Sequence, residues 1–218
     1  MAATSMKELA AEAVAEARPR DLYFEDPWSW SREQVAAMQR RDYSAIDWDN
    51  VIEEIGDVGR RDEKEWASPC ENVVSHLLKI QHDSQSPHVR HWRGEVWEWR
   101  RQMHAVLVDS PGVKGKLFEL LDKAWRRGRG AALDKLVEGT AGGSGSAEKG
   151  VRRALELRLP VERPHHVEDI ASYDPFDKDA EPSPDVWPAA VARVLNDTLG
   201  TDYPVRERGL ERGTGFSR

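Results

Sequence analysis

Apolar residues recur every three or four positions through the first 137 residues, and no alternating stretch is long enough for a useful strand. That period is the signature of helices with one greasy face. Ser5 can cap a short helix over residues 5–18, closed by Pro19. The stretch DLYFEDPWSW, residues 21–30, is aromatic-rich and broken by Pro27. It reads as an irregular strap that lays Tyr23, Phe24, Trp28 and Trp30 over an apolar surface. Ser31 followed by Gln34 is a capping box and starts a helix through Arg41.

Asp47 or Asp49 caps the next helix, whose buried stripe is expected to be Trp48, Ile52, Ile55 and Val58 or Gly59. Pro69 allows two readings, a pair of helices meeting at Ser68 or one long helix kinked there. Beyond it, Cys70, Val73, Leu77 and Ile80 share a face. Trp92, Val96, Trp99, Met103, Val106 and Leu107 form a second seam, and Val113, Leu117, Leu120, Leu121, Ala124 and Trp125 a third. Four such stripes joined by short connections bury themselves most simply as an antiparallel all-α bundle. The expected organisation is an N-terminal helix or tail (1–20), the helical bundle (21–138) and a flexible Gly/Ser linker (139–150). A Pro-rich acidic segment with a docked C-terminal helix (151–204) and a disordered tail (205–218) complete it. In that last helix Asp185 is the expected N-cap, Gly200 the C-cap, and Trp187, Val191, Val194, Leu195 and Leu199 the docking residues.

Charge refines this picture. The formal net charge is −7, and residues 160–204 alone hold ten acids against three bases. The body is near neutral but uneven, with eight acids against three bases over 47–65 and ten bases against five acids over 87–129. Neighbouring helices carrying these blocks would attract one another. The mean hydropathy of −0.70 is polar for a globular chain, so part of it is expected to lie outside any core. No apolar run approaches the roughly 20 residues of a membrane span. The N-terminus carries acids and lacks a greasy leader core, which points to the cytoplasm. The single cysteine, Cys70, cannot form an internal disulfide and reads as a small buried hydrophobe.

Two constellations could carry chemistry. Five of the seven histidines fall between positions 76 and 104. His91 and Glu95 have the i, i+4 spacing that lets two side chains share one metal ion, and Glu53, Glu54 and His76 could complete an N/O ligand set. The repeated Glu plus Glu-x-x-His pairs of di-iron bundles are absent, as is His-Glu-x-x-His, so a divalent metal is possible but not favoured. The second stripe is Arg90, Arg93, Trp97, Arg101 and His104. Arginine interleaved with an aromatic can grip an anion, a partner or a nucleic acid. The net negative charge argues against a large nucleic-acid footprint. No phosphate loop, dinucleotide fingerprint, nucleophile elbow or zinc-finger spacing occurs.

The blocks DLYFEDPWSWSREQ, AIDWDNVIEEIGDVGRRD, HLLKIQ, WEWRRQ and SPGVKGKL, with the late helix DVWPAAVARVLNDTLGTDYP, resemble a bacterial family known as domain of unknown function 29. The resemblance spans about residues 21–204, and WDNVIEEIGDVGR is its most specific part. It implies an all-α bundle, and no established activity or catalytic residues to carry over. It also implies the uninterrupted helix that members usually run through the region of Pro69, so this chain is expected to depart from the family there. Glu53, Glu54, His76, Trp92 and Arg101 stand at positions the family pattern emphasises.

Three functions compete on this reading. The foremost is a non-catalytic interaction or accessory module that binds a protein partner or a second copy. The alternatives are a metal-dependent hydrolase or nuclease using the Glu/His set, and a nucleic-acid binder using the Arg/Trp stripe.

Overall fold

The computed structural model describes residues 19–141 and 145–205. The helix expected over 5–18 and the tail beyond 205 lie outside the described residues. Within them the chain is all-α, with eight α-helices and no strand. They are α1 (Pro19–Glu25), α2 (Pro27–Arg40), α3 (Trp48–His82), α4 (Val89–Asp109), α5 (Leu117–Ala141), α6 (Gly145–Arg158), α7 (Val167–Ala171) and α8 (Ala189–Leu199). Short 3-10 turns at Tyr43–Ala45 and Pro111–Lys116 complete the set. The chain divides into two compact units, residues 1–61 and 62–218.

In the first unit the expected irregular strap is helical. The Asp26 carboxylate accepts from the Ser29 amide at 3.1 Å, and Pro27 occupies the first turn, where its missing N–H costs nothing. Helix α2 therefore starts four residues before the expected Ser31. It ends at Arg41, which takes the left-handed conformation (φ 59°) and donates back to Met38 and Ala37 carbonyls. The Gln34 side chain is buried and accepts from the Asp47 amide at 2.8 Å. Asp47 in turn accepts from Asn50 Nδ2 at 2.6 Å and Trp30 Nε1 at 3.4 Å, tying the start of α3 to α2. The core of this unit is small: Trp30, Ala37, Ile46 and Val51, with Leu22 and Tyr23 packed against it.

Helix α3 is one continuous element of 35 residues with Pro69 inside it, so the departure expected at Pro69 does not occur and the helix is not split at Ser68. Its second half supplies Trp66, Cys70, Val73, Val74, Leu77, Leu78 and Ile80 to the main core. Cys70 sits mid-helix rather than at a helix start, and burial pushes its thiol well above the ordinary range. Val96, Met103 and Leu107 of α4 join it, as do Leu117, Leu121, Ala124, Trp125, Leu133 and Leu136 of α5. Gly128 lets α5 come close to α3: a Cβ there would lie 2.5 Å from the Glu71 carbonyl oxygen and 2.8 Å from Val74 Cβ. Of the expected attraction between the blocks 47–65 and 87–129, one pair forms inside this unit, Lys116 with Glu63 at 2.6 Å, and outside the acid block Arg127 meets Glu71 at 2.9 Å. Both pairs are largely exposed, so each adds only ~0–1 kcal/mol.

Of the segment expected as a flexible linker, residues 139–141 and 145–150 are helical, and residues 142–144 lie outside the described residues. Helix α5 runs to Ala141 and α6 begins at Gly145. Arg129 holds the end of α6 by donating to the carbonyls of Glu156, Leu159 and Pro160. The last helix starts at Ala189, not at Asp185. Trp187 Nε1 donates to the Pro184 carbonyl at 2.9 Å, and Pro188 is extended (ψ 139°), so helical geometry begins only after it. Gly200 closes α8 in the left-handed conformation (φ 65°), as its position predicts. Trp187, Val191 and Leu195 are buried, so α8 is docked on the second unit.

Candidate functional site

The first candidate surface lies on the N-terminal half of α3. The sequence pattern places Trp48, Ile52, Ile55 and Val58 in the core; the structure leaves them 48%, 65%, 67% and 59% exposed. This face is greasy because of its residues and wet because nothing among the described residues covers it. The fault in the prediction is physical. Periodicity identifies a face, but burial also needs a second surface, and on α3 the small core of this unit takes in Val51, at the flank of this face, and leaves the rest of the stripe uncovered. The aromatic residues meant to form a strap behave likewise: Phe24 is 77% and Trp28 72% exposed, while Trp30 alone of the strap tryptophans is buried.

The second candidate lies in the other unit, around His76. Its ring sits edge-on to Trp99, with centroids 4.6 Å apart, and Trp92 stands at 6.3 Å. Nδ1 donates to the Asn72 carbonyl one turn back, at 3.0 Å. That fixes the tautomer and leaves Nε2 as the free end. Two groups converge on it: Lys79 Nζ at 2.8 Å and Glu95 Oε2 at 3.0 Å. The other Glu95 oxygen faces His91 Nε2 at 3.4 Å. Lys79 lies 4.7 Å over the Trp92 ring, a cation–π contact that partly replaces lost hydration. Burial, then the Lys79 charge, pulls the His76 imidazole down to about 4. Burial pulls the Lys79 ammonium down to about 8. Around neutral pH the imidazole is therefore the neutral acceptor, and Lys79 supplies the proton between them. A groove of about 530 Å³ opens beside this pair, walled by Lys79, Asp83, His88, Trp92 and Lys135.

Of the proposed metal set, the fold thus brings His76, His91 and Glu95 together. Glu53 and Glu54 belong to the first unit, where the Glu54 carboxylate accepts from the Tyr23 hydroxyl at 2.7 Å. Among the described residues, no group of three or more His, Cys, Asp or Glu is arranged to hold a metal ion. The reason is visible at His76. The lone pair a metal would need already faces the Lys79 ammonium, a cation carried by the chain itself.

The anion-gripping stripe is divided among other tasks. Arg93 donates to the Tyr203 hydroxyl at 2.9 Å, and the His104 ring meets Tyr173 edge-on at 5.1 Å, so both serve the C-terminal wrap. Arg101 pairs with Glu98 on its own helix at 3.2 Å. Trp97 is half-buried and Arg90 exposed. The arginine the pattern missed is Arg100, which is fully buried and donates to the carbonyls of Ile170, Val186 and Asp169 at 2.8–2.9 Å. Its position was legible: Val96, Arg100, Met103 and Leu107 are spaced four, three and four residues apart, all on the buried seam. Lys79 was missed too, and only the His76 spacing of three residues hinted at it.

No helix among the described residues is long and apolar enough to cross a membrane. Neither a curated protein nor a solved structure matches the chain. Residues 22–141 match the family described as Domain of unknown function DUF29, so more than half of the chain, including α2, α3, α4 and α5, is covered, and the chain belongs to that family.

Proposed function

We propose that this chain is a non-catalytic interaction module that docks a protein partner through the apolar face of α3. The observation that carries this reading is the exposure of Trp48, Ile52, Ile55 and Val58 along one stripe. Single exposed hydrophobes are ordinary, but a contiguous row of large ones marks a contact surface. Among its described residues the first unit also buries few apolar side chains, those of Trp30, Ala37, Ile46 and Val51. Units this small commonly draw stability from association. A helical stripe with anchors spaced four, three and three residues apart suits a partner helix laid alongside it.

The test is co-purification of the full chain from its native lysate, compared with Ile52→Asp/Ile55→Asp. Both side chains are exposed, so the double variant is expected to fold with an unchanged circular-dichroism spectrum. The wild-type chain should carry one stoichiometric companion, itself or another protein, which the variant loses. A wild-type chain with no companion, or a companion indifferent to the double variant, overturns the reading.

A further inference from the structure

Taking that docking face as given, we propose that its occupant is a second copy of this chain, paired antiparallel about a two-fold axis. Trp48 of one copy would then lie opposite Gly59 of the other, and Ile52 opposite Ile55.

The argument begins with two glycines in an exposed helix. Each costs about 1 kcal/mol of helix stability relative to alanine. The chain's own packing demands neither. Among the described residues a Cβ on Gly59 would meet nothing within 4 Å, and one on Gly56 would meet the Arg60 side chain. Trp48, Ile52, Ile55 and Gly59 are spaced four, three and four residues apart, which is the seam spacing of paired helices. In an antiparallel pair each seam position faces its opposite number in reverse order. The register that joins Ile52 to Ile55 also joins Trp48 to Gly59. The largest side chain of the row therefore falls on the position that has none. Both copies do this at once, which is the self-complementarity of a two-fold interface.

Charge selects the same orientation. Residues 47–57 carry five acids and no base, and Arg60 and Arg61 follow immediately. A parallel pair would set acid block against acid block. The antiparallel register brings the acid-rich start of this segment toward the Arg60–Arg61 end of the second copy. Like charges facing one another disfavour the parallel form, while opposite charges at both ends steer the antiparallel one.

The test measures the mass of the full chain by light scattering across about 1–100 µM, a range that spans ordinary homodimer affinities. The expected result is a monomer–dimer equilibrium that Ile52→Asp/Ile55→Asp abolishes. Gly59→Leu is the register test. It finds open space among the described residues and removes a helix-weakening glycine, so the monomer stays folded, yet it fills the seat of Trp48 across the axis. Dimerisation should weaken at least tenfold. A wild-type chain that stays monomeric, a dimer that survives the double aspartate variant, or a Gly59→Leu dimer of equal or greater affinity overturns the proposal. If the chain is monomeric but retains a different protein that the double variant releases, the docking reading stands and only the identity of the partner fails.

Discussion

The guanidinium of Arg100 lies over the Trp187 ring, its central carbon 4.6 Å from the ring centroid, at full burial. Three backbone carbonyls, those of Asp169, Ile170 and Val186, accept its protons. The residue is thus a clamp. It sits on α4 and grips two points of the C-terminal segment, at the end of α7 and just before α8. Burial pulls the guanidinium below its ordinary range, with the Asp169 charge opposing that shift. Arg100→Met should remove about 3–5 kcal/mol of stability, because one buried and two part-buried carbonyls lose their donor. Arg100→Lys should recover only part, since an ammonium cannot reproduce the planar fork. Urea unfolding measures the loss, and limited proteolysis should show new cleavage between residues 172 and 188.

Two glycines of α5 should respond in opposite directions to the same substitution. Gly128→Ala pushes a methyl into the Glu71 carbonyl and Val74, and should cost about 1–3 kcal/mol. Gly130→Ala meets nothing within 4 Å among the described residues and should stabilise the helix by about 0.5–1 kcal/mol. Thermal unfolding of both variants compares them directly. Equal effects would mean that α3 and α5 do not approach as closely as described.

His76 makes stability depend on pH on the acid side. Its folded value of about 4 lies below the ordinary 6.5, with burial the largest cause and the Lys79 charge the second. Between those values the unfolded chain binds a proton that the folded chain refuses. Stability should therefore be fully present above pH 6.5 and fall as pH drops toward 4, by about 1–3 kcal/mol from this residue. The groups facing it are Lys79 and Glu95, with Asn72 holding Nδ1 and His91 reaching the far Glu95 oxygen. His76→Gln should flatten that slope. Denaturant curves at several pH values would show it.

Lys79 makes the matching contribution on the alkaline side. Its ammonium is held at about 8 against an ordinary 10.5, chiefly by burial, with the nearby Lys135 charge adding to the shift and Glu95 opposing it. In that window the unfolded chain holds the proton the folded one releases, so stability should rise as pH increases from 8 toward 10.5. Lys79→Met removes the titrating group and should abolish that rise. A wild-type curve flat over this interval would contradict the burial of Lys79.

The same lysine bears on metal. Chelator should shift the thermal midpoint of the wild-type chain by less than about 1 °C, because a bound ion would otherwise stabilise by mass action. Differential scanning fluorimetry with and without chelator decides it.

Much of this fold is local and was therefore legible. A run of residues with a 3.6 period needs no distant partner to declare itself helical, and the stripes led by Leu77, Val96 and Leu121 end up buried. The cap at Gly200 follows from its single hydrogen in place of a side chain. The convergence of His91 and Glu95 is equally local, being one turn of one helix. His76 joins them from α3, which only packing could bring about.

Burial itself is not local. Ile52 and Ile55 carry the pattern of core residues and face solvent, whereas Arg100 and Lys79 carry charge and lie inside. A side chain is buried when another surface covers it, and the sequence of one helix does not contain that second surface. The charged pair is tolerated because α7, the approach to α8, His76 and Trp92 supply acceptors and an aromatic face. The sequence by itself determined which segments coil and which side of each is greasy. Only the tertiary structure decided which of those sides met a neighbour, because desolvation is a property of two surfaces in contact rather than of either alone.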